Sequence, residues 1–180
     1  MNRSPILVAA IAVACSGSGD SPPVPTVSAA AIAVEGASEQ LERLDGRSPV
    51  PLLPAMAAHQ KQNMRDHLVA VQEIIAALSI ADFSAAETAA ARIGFSNTMG
   101  QMCTHMGAGA PGFSEQAIEF HHTADSIGDA ARERDGARLL LALHATLQAC
   151  TSCHAVWKQR VVDEPTWQRL TASATPPMPH

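Results

Sequence analysis

The sequence predicts an all-α fold, an antiparallel up-down four-helix bundle, and three observations carry that expectation. Apolar residues make up 47% of the 180-residue chain, but aromatics only 3%, with no tyrosine. Alanine and leucine dominate the apolar share, and both favour helices, whereas strands prefer aromatic and β-branched side chains. From Ala55 onward apolar residues recur at helical spacing in four segments joined mostly by short connections. No segment reads convincingly as a strand, and there is no internal repeat. An alanine-rich core is also thin, because small side chains fill little of an interior that must be close-packed. A large apolar body of another kind would fill it.

The first helix is expected over about Ala55–Leu78, where Met64, His67, Leu68, Val71, Ile75 and Leu78 fall on one face. The second starts after Asp82 or Ser84, either of which can cap it. Glu87 sits three residues after Ser84, as in a capping box. It runs to about His105, with a kink near Gly94 or Gly100. GAGAPG at 107–112 is a loop. Ser114 is expected to cap a third helix over about Glu115–Arg132. The fourth starts near Asp135 and passes Leu139, Leu140, Leu143 and Leu147 to about Val162. This four-helix domain spans 55–162.

The ends read differently. Residues 1–14 form an export signal: Arg3 gives a positive start, Ile6–Ala14 a short apolar run, and Ala12-Val13-Ala14 a cleavage site. Cys15 follows at once, in an arrangement similar to a bacterial lipoprotein signal, in which that cysteine is lipidated. Such signals usually carry leucine where Ala12 stands here. Either route sends the protein to the periplasm or cell envelope. Residues 15–54 are rich in Gly, Ser and Pro and read as a flexible tether, with a short helical piece around Glu39–Leu44. Residues 163–180 read as a disordered tail. No segment beyond the signal is read as long and apolar enough to cross a bilayer. Loss of Arg3 with the signal takes the formal net charge from −5 to −6, so no basic patch invites nucleic acid.

The chemistry is concentrated in QACTSCHAVWKQR at 148–160. Of four cysteines, Cys15 belongs to the signal, leaving Cys103, Cys150 and Cys153. Cys150, Cys153 and His154 stand at i, i+3 and i+4 and so share one face of a helix. A zinc site needs about four ligands, and no second paired motif exists. A thioredoxin-like redox pair needs a βαβ setting. By chance, Cys-x-x-Cys-His is expected about four times in a thousand such sequences. The motif is that of covalent c-type haem attachment: two thiols add to the two vinyl groups, and His154 supplies an imidazole to the iron. One haem c is therefore the expected cofactor, and it is the large apolar body that the thin core lacks.

This motif near the C-terminus, on the last helix of a bundle, resembles the cytochrome c prime family and its low-spin, methionine-ligated relatives. The resemblance covers about residues 58–160. It includes CTSCHAVWK with Lys158 at a basic position, QKQNMRDH in the first helix, and ADFSAAETAAARI at the start of the second. MCTHMGAGAPGF and His121-His122 depart from the pattern. The family divides between members with an open sixth iron position, which bind nitric oxide or carbon monoxide, and low-spin members that carry electrons with a first-helix methionine on the iron. Many members are homodimers.

In this sequence Met64 stands at that methionine position and is the expected second axial ligand. A thioether there raises the reduction potential. His67, one turn on, is the other candidate ligand or a propionate contact. Lys158 is a further propionate candidate. Met99, Met102 and Met106 read as core, and Cys103 as a buried thiol without a partner. His105, His121 and His122 receive no role, and His144 lies off the haem face. The resemblance implies an exported electron carrier with redox-protein partners, not an enzyme, for no nucleophile–base set or phosphate loop is present. The alternatives are a five-coordinate gas-binding protein and a haem-free structural or metal-binding lipoprotein.

Overall fold

In a computed structural model the chain divides into two units, residues 1–45 and 46–180. The structure describes residues 36, 37 and 39–172. The export signal over 1–14, Cys15, the first part of the tether and residues 173–180 lie outside the described residues. In the first unit residues 39–44 are helical, and Glu39 pairs with Arg43 one turn on at 3.2 Å.

The second unit is mostly helical. In order it contains β1 (Ser48–Leu52), α1 (Pro54–Ser79), α2 (Phe83–Ala90), α3 (Asn97–Gly107), α4 (Phe113–Arg132), α5 (Gly136–Val156), β2 (Trp157–Val161) and α6 (Glu164–Ala172). Proline opens α1 at a position where a missing N–H costs nothing. The α1–α2 and α4–α5 turns share one construction. Each has a left-handed residue, Ala81 or Arg134, followed by an aspartate cap, Asp82 or Asp135. Asp82 N–H reaches back to Ala77 O and Asp135 N–H to Ala130 O, which satisfies carbonyls that a helix end leaves open. Ser84 does not cap α2.

The second expected helix is two helices. The chain leaves α2 at Ala91 and restarts at α3, where Ser96 accepts from Met99 N–H. Asp125 of α4 enters this break: its Oδ1 accepts from Phe95 N–H at 2.9 Å, and a Cβ at Gly94 would collide with it. Ser114 is likewise not a cap. Gly112 takes that position at φ 90°, where glycine is favoured, and Ser114 Oγ donates to Cys103 O instead.

Helix α1 packs on α2, α2 on α4, and α4 on both α3 and α5. The main core is alanine-lined: Ala70, Ala77, Ala86, Ala89, Ala90, Ala124, Ala130, Ala131 and Ala142 surround Ile74, Ile93, Ile127, Leu139 and Leu143. Small side chains let these helices approach closely, and that sets which face of α1 is inside. The buried row is Ala57, Gln60, His67, Ala70, Val71, Ile74 and Ala77. Met64, Leu68 and Ile75, expected on the inner face, stand exposed on its flank.

Four further expectations are corrected. Helix α5 ends at Val156 instead of Val162: Trp157 turns extended, its N–H closes the last turn on Cys153 O, and the chain continues as a strand. That strand pairs in parallel with β1, from Ser48 opposite Trp157 to Leu52 opposite Val161. The last residues assigned to the tether are thus part of the folded unit, with Val50 and Leu52 buried. Residues 164–172, assigned to the tail, form α6, which packs on β1. Finally, α5 is long and apolar enough, by length and composition alone, to cross a bilayer, yet it carries the core residues Leu139, Ala142 and Leu143. Only 22% of its most apolar stretch is buried.

Leu139 is fully buried and Leu141 is 70% exposed. Leu139→Ala should cost about 2–5 kcal/mol, and Leu141→Ala less than about 0.5 kcal/mol, in denaturant unfolding followed by circular dichroism.

Candidate functional site

Helix α5 presents the Cys-x-x-Cys-His motif in its last two turns. Its inner row is Leu139, Ala142, Leu143 and Thr146, whose hydroxyl donates to Ala142 O at 2.9 Å. The row continues into Cys150 and Cys153, both half-buried, and His154 is exposed beside them. Burial raises the pKa of both thiols, and Cys153 is raised further by Cys150 and Cys103. At neutral pH they are thiols, less prone to disulfide exchange than thiolates.

The end of the motif is clamped. Trp157 N–H bonds to Cys153 O, and the Arg47 guanidinium donates to His154 O at 3.3 Å and Trp157 O at 3.5 Å. A cation at the carbonyl end of a helix also meets its macrodipole favourably. Trp157 Nε1 donates to Gln116 of α4 at 2.7 Å.

Helix α1 runs alongside α5 in the opposite direction. At one end Leu78 lies against Gly136, where a Cβ would stand 3.5 Å from the leucine methyl. At the other, the Gln159 amide donates to Ala57 O at 3.3 Å and to Gln60. At about 1.5 Å of rise per residue, Met64 comes level with Cys150, Leu68 with Leu147, and Ile75 with Leu140. Glu73 pairs with Arg92 and so marks the side of α1 that faces α2. Arg138 pairs with Glu133 and marks the α4 side of α5. At about 100° per residue, Met64, Leu68 and Ile75 lie on the flank of α1 away from Glu73. Leu140, Leu147 and His154 lie on the flank of α5 away from Arg138, with Cys150 at the inner edge. The two apolar flanks therefore face each other across the α1–α5 seam. Yet Met64, Leu68, Ile75, Leu140 and Leu147 are between 39% and 67% exposed, so the seam is uncovered.

No protein-family model, curated protein or solved structure matches this chain.

The donor set of the seam fits a covalent haem. Two thiols and an imidazole stand on one helix face, with apolar walls beyond them and a thioether level with them on the opposite helix. Among the described residues, no three histidine, cysteine or carboxylate side chains meet as a metal site.

The other singled-out residues are placed elsewhere. His67 points inward, stacked on Phe120 at 5.2 Å and edge-on to His121 at 5.4 Å. Burial, with a smaller repulsion from His121 and an opposing pull from Asp66, lowers its pKa to about 4. His121 is buried too, with Nδ1 donating to Ile93 O at 2.8 Å. His122 stacks on Phe95 and faces Asp125 at 3.6 Å. His105 meets Trp167 edge-on, and His144 is exposed. Lys158 is half-buried on β2 and not one helical turn past His154. Met106 is buried and Met99 and Met102 are half-buried. Cys103 is buried, its pKa raised by that burial, at the same end as Cys153. Sequence reasoning missed Arg47 and the β1–β2 pair. The polar Lys158-Gln159-Arg160 run carries no local strand signal for the latter.

His67 titrates below its unfolded value, so the unfolded chain binds the extra proton between pH 6.5 and about 4. Stability should therefore fall as pH drops through that window and level off below it, by on the order of 3 kcal/mol from this residue. His67→Phe should flatten the fall when unfolding free energy is measured against pH.

Proposed function

We propose that this protein is an exported c-type cytochrome that carries single electrons, similar to low-spin relatives of cytochrome c prime. The observation that carries the reading is the uncovered apolar seam into which the Cys-x-x-Cys-His motif opens. Five large apolar side chains left in water would be a liability, whereas a haem between α1 and α5 buries them. The antiparallel α1–α5 pair and the packing of α1 on α2, α2 on α4 and α4 on α5 support a four-helix bundle around it.

In this reading Cys150 and Cys153 hold the group through two thioether bonds, and His154 gives its imidazole nitrogen to the iron. Met64, level with the motif, supplies a thioether from the opposite helix. His67 packs toward α4 and leaves that position to Met64. Leu68, Ile75, Leu140 and Leu147 exclude water, which lowers the reorganisation that accompanies a change of charge. When bound, the haem supplies reversible one-electron Fe(III)/Fe(II) chemistry. Arg47 and the strand pair fix the end of α5 and so hold His154 in place. In this reading residues 1–14 export the carrier to the periplasm or cell envelope, by ordinary cleavage or with Cys15 lipidated, and partner redox proteins exchange electrons with it there.

Haem staining of a denaturing gel tests the attachment: wild type should stain, and Cys150→Ser/Cys153→Ser should not. A wild-type chain without stain would return the reading to a haem-free lipoprotein. The double variant should also lose cooperative unfolding by circular dichroism, because the core lacks its largest apolar body. Met64→Ala should remove the weak long-wavelength band of a thioether–iron bond from the oxidised spectrum and open the iron to carbon monoxide. A high-spin wild-type spectrum with rapid carbon monoxide binding would instead indicate the gas-binding alternative.

A further inference from the structure

The flank of α1 turned away from the seam carries a second group of soft donors. His59 Nε2 lies 2.9 Å from Met102 Sδ of α3. Asn63, one turn on, places Nδ2 3.4 Å from His59 Nε2 and 3.5 Å from Met102 Sδ. No placement of protons satisfies all three contacts as the amide stands. If Asn63 donates to both neighbours, His59 Nε2 is unprotonated, and its lone pair faces that of the sulfur. If Nε2 carries the proton, the amide N–H groups face another N–H. The separation is also that of an ordinary N–H···O bond, although sulfur is larger than oxygen. Two lone pairs thus converge on one point, held by α1 and α3, with His59 open to solvent.

A second thioether belongs to the same part of the fold. Met56 precedes His59 by one turn, and both Met56 and Met102 pack against the cluster of Val50, Leu52, Ala57, Met106, Ala110 and Phe113. Imidazole and thioether together suit a soft, monovalent d¹⁰ cation and do not suit magnesium or calcium.

We propose that His59, Met102 and Met56 bind one copper(I) ion, with Asn63 turning its amide aside or offering its oxygen. Bonds of about 2.0 Å to nitrogen and 2.3 Å to sulfur need only a slight opening of the His59–Met102 pair, within the freedom of a methionine side chain. The site is independent of Cys150, Cys153 and His154, and binding involves no change of oxidation state.

The test is anaerobic titration of the purified full-length protein with copper(I) against a chromophoric copper(I) chelator. Wild type should retain about one equivalent, and Met102→Leu and His59→Gln should each weaken retention by about tenfold or more. Cys103→Ser should leave it unchanged. His59 is a surface residue, so its variant keeps the test valid should Met102→Leu disturb packing, which helical circular dichroism reports. No retention by wild type, retention by either variant equal to that of wild type, or loss caused by Cys103→Ser would each overturn the assignment. Haem staining of the same samples scores the haem reading separately.

Discussion

The rest of the structure depends on an alanine-lined core that closes tightly at three seams and not at the fourth. Ala70 and Ala77 of α1 meet Ala86, Ala89 and Ala90 of α2, and Ala124, Ala130 and Ala131 of α4 complete the same cluster. Residues this small bring backbones together but supply little apolar area, so burial at these contacts stabilises modestly. Five of the larger side chains, Met64, Leu68, Ile75, Leu140 and Leu147, stand instead on the α1–α5 flanks, where they meet water. Helix α5 shows the imbalance most clearly, being long and apolar enough by composition to cross a bilayer and yet a helix of which little is covered. The haem proposed above would resolve that imbalance from between α1 and α5, with no rearrangement of the tight seams.

The strand pair gives the open seam a fixed end. β1 holds Val50 and Leu52 in a second cluster, with Cys153 and Trp157 packed against it. Pro49 and Pro51 lack an N–H, so β1 suits a two-stranded edge and no wider sheet. This short pairing ties the chain before α1 to the chain after α5. Arg47, one residue ahead of the strand, then reaches the carbonyls of His154 and Trp157. The motif is therefore positioned from both sides of the sequence.

Helix existence was legible wherever periodicity ran long. The range expected for the first helix matches α1 to within a residue at each end. Asp82, one of two residues read as the cap of α2, is that cap, and α5 starts at Asp135 as expected. Helix orientation was less legible. The sequence pattern favours the row with the largest apolar residues, so Leu68 and Ile75 were expected inside. The structure buries the alanine row because close approach to α2 outweighs the burial of larger side chains on that flank. The strand pair was hidden by distance: Ser48 and Trp157 are local noise until the fold brings them together. At the site, the motif itself was plain in sequence because its three groups lie within five residues. The level of Met64 beside Cys150 needed the register of two helices far apart in the chain. His59 and Met102 came together only through the packing of α3 on the α1 side.

Helix α1 thus serves three surroundings at once. Met64 faces the seam, His59 faces α3, and His67 between them faces the interior. The burial that drives His67 down to about pH 4 keeps its ring uncharged at neutral pH, and His121 is shifted the same way. If the chain carries a haem as proposed, a positive charge in this core would favour the reduced form and tie its potential to pH through proton uptake. Desolvation opposes that coupling, because near neutrality neither ring is protonated. The two histidines, packed against Phe120 and each other, would then leave the proposed carrier's potential independent of pH.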